Sequence, residues 1–220
     1  THIVHVSSAE ALPKVAAAKA KGLPLTAETC AHYLYFNAEC IPDGNSLFKC
    51  APPIREADNN DQLIEAFAKR VLDFITTDHS PAPPELKEIE TGNLQKAWGG
   101  IAGLQWLLPA AFTAMKQSLS LDDFIPLLTE KPAAFLQLQH RKGYLKVGYD
   151  ADIVIWHPEK EFVVTAANTF HKHKASPYIG ERLCGAVQGT FVNGVPVFMN
   201  GRIQGTRAYG EIVLGHSKEK

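Results

Sequence analysis

The sequence predicts an α/β fold in which a parallel β/α unit is followed by a mainly antiparallel β part. Residues 2–77 follow the order strand, helix, strand, helix, strand, which is typical of a parallel sheet. After residue 141 the pattern changes, because short β-rich runs alternate with glycine and proline turns. We therefore divide the chain into residues 1–141 and residues 142–220.

The parallel unit is predicted from hydrophobic periodicity and from residues that favour helix ends. Ser7 or Ser8 suits the N-cap of the first helix, and Gly22 suits its end. The second helix has apolar side chains at helical spacing. The predicted elements are, in order, a strand over 2–6, a helix over 8–21, a strand over 23–30, a helix over 59–70 and a strand over 71–77.

Further helices and then antiparallel strands are predicted in the rest of the chain. A strongly apolar helix covers 99–116, and two shorter helices open at Ser120 and Pro132. Asn-Gly pairs at 193–194 and 200–201 are strong signals for tight turns between strands. The second part is therefore predicted to be mostly antiparallel β.

Composition argues against several classes of protein. The chain carries a net charge of −1 with histidine neutral, and its pI is about 6.7, so no surface for nucleic acid or an anionic membrane is predicted. No apolar run approaches the roughly 18 residues of a membrane span. The four cysteines form no CxxC pair and are interpreted as reduced thiols, which favours the cytoplasm.

Polar side chains end two of the predicted parallel strands. His5 follows the apolar start of the first strand, and Asp78 ends the third strand directly before His79. In a parallel β/α barrel, reactive side chains project from the C-terminal ends of strands. An imidazole and a carboxylate there suit a divalent ion such as zinc. The residues alone also allow a structural histidine and a loop-initiating aspartate.

Three other features are weaker candidates. His32 suits either a ligand or substrate contact or a local structural role. The histidines and lysines of 171–174 favour a solvated surface over a metal site. The glycine-rich segment 98–103 lacks the lysine and hydroxyl residue of a P-loop, but its glycines allow backbone amides to come close to a ligand.

Seven segments occur in the same order in a known family. On these segments the sequence resembles the cyclic amidohydrolases, which include allantoinases, dihydropyrimidinases, hydantoinases and dihydroorotases. DHSP together with KAWGGIAGLQ resembles the allantoinases in particular. The resemblance covers essentially the whole chain. The segments are VHVSS at 4–8, ETCAHYL at 28–34, FKCAPPIRE at 48–56, TTDHSPAPPELK at 76–87, AWGGIAGLQ at 97–105, KGYLKVGYDADIVIW at 142–156 and SPYIG at 176–180.

The resemblance implies the C-terminal part of a (β/α)8 barrel, about its last three strands, followed by the C-terminal part of a small β-sandwich. His5 then corresponds to the metal-ligand histidine of barrel strand six. Asp78 corresponds to the strand-eight aspartate, which binds metal and acts as general base and acid. In the family a hydroxide that bridges two metal ions, expected here to be zinc, attacks a ring amide carbonyl while the aspartate moves the proton.

The resemblance also implies a small-molecule substrate, a cyclic ureide. Allantoin opened to allantoate is the expected reaction, and a homo-oligomer, a tetramer in relatives, is the expected assembly. Where some relatives have serine or cysteine this chain has alanine at 51, so only a backbone contact is expected there. The expected substrate-binding residues are Ala51, Pro52, Gly99, Gly100 and, beside the strand-end aspartate, His79.

The chain begins on a predicted strand without an initiator methionine, so we expect a fragment of a longer protein. The family's N-terminal half carries most of the metal ligands, and two ligands alone do not hold a binuclear centre. We expect the fragment alone to be inactive and poorly stable. The alternatives are a hydantoinase or dihydropyrimidinase acting on another cyclic ureide, a non-catalytic amidohydrolase-like scaffold, and a subunit that completes a barrel with another chain.

Overall fold

The computed structural model describes residues 1–213, which contain a parallel and an antiparallel sheet. The parallel sheet has the strand order β1-β2-β3, with β2 hydrogen-bonded to both neighbours. Its strands are β1 (His2–Ile3), β2 (Thr26–Cys30) and β3 (Phe74–Thr76). The order and direction of these strands confirm the predicted parallel β/α unit.

Helices connect the parallel strands. Helix α1 (Leu12–Ala20) lies between β1 and β2, and helices α2 (Ala31–Tyr35) and α3 (Ala57–Ala68) lie between β2 and β3. The first helix was predicted from residue 8, but residues 9–11 form only a 3-10 turn and the Ser8 side chain makes no capping hydrogen bond. Gly22 ends the first helix as predicted, with a φ of 70°.

The two faces of the parallel sheet differ in polarity. Ala27 is fully buried in the hydrophobic core together with Leu63 of α3. On the opposite face, Glu28 accepts a hydrogen bond from Thr76 Oγ1 at 2.9 Å, and its other oxygen lies 3.2 Å from His2 Nε2. Because the helices pack on the first face, the polar face is the one that would line the interior of the barrel that the resemblance implies.

The first and third strands are shorter than predicted. His5 has a φ of 40° and Asp78 a φ of 41°, values that no extended strand allows. Each residue therefore turns the chain out of its strand. After His5 the pairing resumes for one bond, because the Val6 N–H donates to the Glu28 carbonyl at 2.8 Å.

The segment 99–103 is not helical, although a helix over 99–116 was predicted. Helix α4 (Leu107–Met115) begins only after a 3-10 turn at 104–106. Ile101 forms a parallel bridge with His79, and its carbonyl accepts from the Ser80 N–H at 3.0 Å. Glycines disfavour helix, and the backbone of Gly100 is bonded elsewhere, because its N–H donates to the Lys49 carbonyl and its own carbonyl accepts from Lys87 Nζ.

Two short helices follow α4. Helix α5 (Leu121–Phe124) is capped as predicted, because Ser120 Oγ accepts from the Asp123 N–H at 3.2 Å. Helix α6 (Glu130–Phe135) begins two residues before Pro132, so the prediction that the proline opens it is wrong. A proline within the first turn breaks no hydrogen bond, because the first N–H groups of a helix have no partner within it.

Strands β4 (Ile153–Val163), β5 (Arg182–Val192), β6 (Val195–Met199) and β7 (Arg202–Ile203) form the antiparallel sheet in that order. The Asn-Gly pairs at 193–194 and 200–201 connect β5 to β6 and β6 to β7. All four of their φ angles are positive, between 49° and 81°, as a tight hairpin turn requires. The predicted antiparallel part is confirmed.

Helix α4 joins the two parts of the chain. Phe112 on α4 packs edge-on against Trp156 of β4, with ring centroids 4.9 Å apart. The N–H of Cys184 in β5 donates to Thr113 Oγ1 at 2.9 Å. The division at residue 141 stays a prediction. Within residues 1–213, every helix is too short or too polar to span a bilayer.

Candidate functional site

The C-terminal ends of the three parallel strands lie at one edge of the sheet. His5 follows β1 and Asp78 follows β3, and both adopt the left-handed conformation that is uncommon outside glycine. The Asp78 side chain is exposed, and His5 is partly buried. Strained backbone of this kind is concentrated at functional sites, and here it occurs at two polar residues that follow the ends of parallel strands.

His32, at the start of α2, lies beside His5. Its side chain is almost fully buried, with 1% exposure, and its Nε2 has no hydrogen-bond partner among the described residues. Burial, reinforced by the charge of His5, lowers the pKa of His32 to about 3, so the imidazole is neutral at physiological pH. The sequence left its role open, and the structure brings it to the strand-end edge.

Buried polar side chains lie within the electrostatic reach of Asp78. Burial raises the pKa of Cys50 to about 11, and the charge of Asp78 adds to that effect while Tyr33 and Lys87 oppose it. Burial raises the pKa of Cys30 as well, again with a contribution from Asp78. Both thiols are therefore protonated at neutral pH and are neither nucleophiles nor metal ligands in this state.

Two loops that were predicted to contact substrate meet beside these strand ends. Ala51 and Gly99 are exposed, and a Cβ added at Gly99 would lie 3.9 Å from Ala51 Cβ. The Tyr33 hydroxyl donates to the Pro52 carbonyl at 2.7 Å. Gly100 is buried, and its N–H donates to the Lys49 carbonyl at 2.9 Å. The predicted substrate-binding residues of the two loops are thus brought together.

His79 connects the Asp78 loop to the segment before β5. Its Nδ1 accepts from the Leu104 N–H at 3.1 Å, and burial lowers its pKa. Its ring centroid lies 5.0 Å from that of His171, whose Nε2 accepts from the Gln105 N–H at 3.3 Å. The sequence favoured a solvated surface for 171–174, whereas His171 is partly buried beside the predicted site. Its place there depends on contacts with residues that are far away in the sequence, so no local sequence signal could have found it.

A divalent metal ion is the cofactor that this donor chemistry suits. An imidazole and a carboxylate are ordinary ligands of zinc and related ions, and both project from the same edge of the sheet. Within residues 1–213 no group of three potential ligand side chains is close enough to hold an ion. His5 and Asp78 therefore suit a metal site in donor type and in their place at one edge of the sheet, and their role as ligands stays a prediction.

Comparison with known proteins identifies the family. Residues 1–197 match the amidohydrolase family. The chain is 45% identical to the allantoinase of Arabidopsis thaliana over 205 residues, which is 91% of this chain and 40% of that protein. It is 42% identical to the allantoinase of Streptomyces avermitilis over 201 residues, covering 91% of this chain and 44% of that protein.

The fold is shared with a solved enzyme structure. The L-hydantoinase (dihydropyrimidinase) of Arthrobacter aurescens superposes with a TM-score of 0.84 at 30% identity, over 92% of this chain and 45% of that one. This likeness confirms the predicted fold class, part of a barrel with an antiparallel β part. The chain spans less than half the length of the relatives that it matches. By its sequence and its fold, the chain belongs to the amidohydrolase family.

Proposed function

We propose that this chain forms part of the active site of a hydrolase that opens a cyclic amide, and that its substrate is allantoin, which is converted into allantoate. The observation that carries the proposal is the pair His5 and Asp78. Both turn out of parallel strands with φ near 40°, in a chain that is 45% identical to an allantoinase. The L-hydantoinase of Arthrobacter aurescens shares the fold at 30% identity, but the two allantoinases are more similar to the chain in sequence, at 45% and 42% identity.

Asp78 is the proposed general base and acid. Its exposed carboxylate is accessible to water and to a ring substrate at the edge of the sheet. A carboxylate in that position accepts a proton from the attacking water and returns it to the ring nitrogen that leaves when the C–N bond breaks. The net reaction adds one water molecule and converts the cyclic amide into an open carboxylate and a free amide nitrogen.

His5 and Asp78 are the proposed metal ligands. We propose two zinc ions in the complete site, with the other ligands supplied from outside the described residues. A divalent ion supplies Lewis-acid polarisation of the carbonyl and makes water a better nucleophile at neutral pH. His32 lies buried beside His5, and its Nε2 is without a partner in the described part of the chain, so it is a further polar group at this edge of the sheet.

The ring is proposed to lie between the loops that carry Ala51 and Gly99. Their exposed backbone faces a common space, and the alanine side chain offers no polar contact. Gly100 and Pro52 have backbone groups already bonded within the protein, so they support the shape of the pocket. A role for His79 at the rim, a homo-oligomeric assembly and a cytoplasmic location stay predictions.

Ring opening by the protein that contains residues 1–220 tests the proposal. Allantoin, hydantoin and dihydrouracil are offered separately, before and after metal removal by a chelator and after addition of Zn²⁺. The expected result is fastest opening of allantoin, lost on chelation and restored by Zn²⁺. Faster opening of another ring would overturn the assignment of allantoin, and turnover that survives metal removal would overturn the metal. No opening of any ring would favour a non-catalytic scaffold.

A further inference from the structure

Lys87 lies at the junction of the two proposed substrate loops. Its side chain is 2% exposed, and its ammonium Nζ donates to the carbonyls of Lys49, Trp98 and Gly100 at 3.1, 3.1 and 3.0 Å. These carbonyls belong to two chain segments that are separated by about fifty residues in the sequence. All three ammonium N–H groups thus have an acceptor, and the acceptors span both loops.

The burial of this charge is not explained by an ion pair. Among the salt bridges within residues 1–213, none includes Lys87. A buried lysine is rare without a carboxylate, because its desolvation is costly and an apolar side chain of similar volume packs more favourably. Burial indeed lowers the pKa of Lys87 to about 8. Stability alone therefore gives little reason for a lysine at this position.

The neighbouring contacts indicate what the ammonium fixes. Lys49 Nζ donates to the Ala97 carbonyl at 2.5 Å, and the Gly100 N–H donates back to the Lys49 carbonyl at 2.9 Å. Ala51 follows Lys49 by two residues, and Gly99 lies between two of the carbonyls that Lys87 binds. The separation of Ala51 from Gly99 is thus set by these two direct bonds together with the three that meet at Lys87.

We propose that Lys87 is a positioning residue for ring binding, because its ammonium holds the Ala51 and Gly99 loops at a fixed separation across the substrate. This inference rests on the proposed function. Lys87 is not a catalytic residue, since the carbonyls enclose its nitrogen and leave no N–H for the ring. The loops contact the ring both before and during the reaction, so their misplacement weakens binding more than the chemical step.

The test compares Lys87→Met with Lys96→Met in the protein that contains residues 1–220. Lys96 is an exposed lysine in the same loop and serves as the matched control. For Lys87→Met we expect KM for the ring to rise about ten- to a hundredfold, the range for loss of hydrogen bonds to a charged group, with kcat within about threefold of wild type. Lys87→Gln keeps two N–H donors and is expected to give an intermediate KM.

Amide hydrogen exchange supplies a readout that is independent of turnover. The Gly100 N–H is expected to exchange at least about tenfold faster in Lys87→Met, while the amides of β2 keep their protection. Unchanged exchange at Gly100, or faster exchange with an unchanged KM, would overturn the positioning role. A fall in kcat alone would also overturn it. If the wild-type protein opens no ring, the proposed function fails before any variant is compared, and the substrate part of this inference fails with it.

Discussion

Gly100 is the position where the structure allows the sharpest prediction about the loop behind Asp78. A Cβ added there would lie 2.4 Å from Ser80 Oγ, 2.5 Å from Ser80 Cβ and 2.7 Å from the Ser80 carbonyl oxygen. The hydroxyl can rotate away, but the carbonyl belongs to the backbone. An ordinary contact begins near 3.4 Å, so relief of the contacts with the Ser80 carbonyl and Cβ requires the two backbones to separate by roughly 0.7–0.9 Å.

Separation of the Gly100 and Ser80 backbones would lengthen the hydrogen bonds that join their two segments. Ser80 N–H donates to the Ile101 carbonyl at 3.0 Å, and Trp98 Nε1 donates to Ser80 Oγ at 3.2 Å. Overpacking of this kind costs about 1–3 kcal/mol. The reduced freedom of the unfolded chain with alanine recovers about 0.4–1 kcal/mol, which leaves a net loss of about 1–2 kcal/mol in the free energy of unfolding.

Urea unfolding of Gly100→Ala measures this loss, with Gly99→Ala as the matched control. A Cβ at Gly99 meets no atom closer than 3.9 Å, so only the reduced freedom of the unfolded chain acts, and the control is expected to keep its stability or gain up to about 1 kcal/mol. Ser80→Gly in the Gly100→Ala background should recover part of the loss, since it removes two of the three close atoms. Equal stability of the two alanine variants would refute the steric argument.

Two further predictions concern the surroundings of the site. Ser120→Ala removes the N-cap of α5, because Ser120 Oγ accepts from the Asp123 N–H. The free energy of unfolding should fall by about 1 kcal/mol. An unchanged free energy of unfolding in a urea titration would show that the cap does not stabilise the fold. Burial, with the charges of His79 and Lys174, lowers the pKa of His171 to about 4, whereas an unfolded histidine titrates near 6.5. The unfolded chain therefore binds more protons between these values, and stability falls as the pH falls through that window. In His171→Gln the amide oxygen can still accept from the Gln105 N–H, and the fall should be shallower; identical pH profiles would contradict the neutral buried imidazole.

Local signals made the elements and the turns predictable. The helical spacing of 59–70 corresponds to α3, and the Asn-Gly pairs form the two hairpin turns. The prediction of helix for 99–103 was wrong, because the apolar run has no local signal for the pairing of Ile101 with His79 and Ser80. Tertiary hydrogen bonds decided its conformation, and periodicity alone does not contain them.

The candidate site was predictable only in part. His5 and Asp78 lie where apolar runs end, and this position made them predictable as candidate site residues. Their left-handed φ angles could not be read from a histidine and an aspartate, since neither residue requires them. The roles of Lys87 and His171 depend on partners far away in the sequence, such as Lys49 and Gln105, so only the folded chain reveals them.

Asp78 is proposed to move the proton during ring opening, and the rate of allantoin opening by Asp78→Asn tests this role. Asparagine tolerates the φ of 41° and keeps the shape of the side chain, so the fold is retained. Asp61→Asn, at an exposed position on α3, is the control for loss of one charge. We expect turnover to fall at least about a hundredfold in Asp78→Asn and to stay near wild type in Asp61→Asn. Turnover by Asp78→Asn above a tenth of the wild-type rate would contradict the claim.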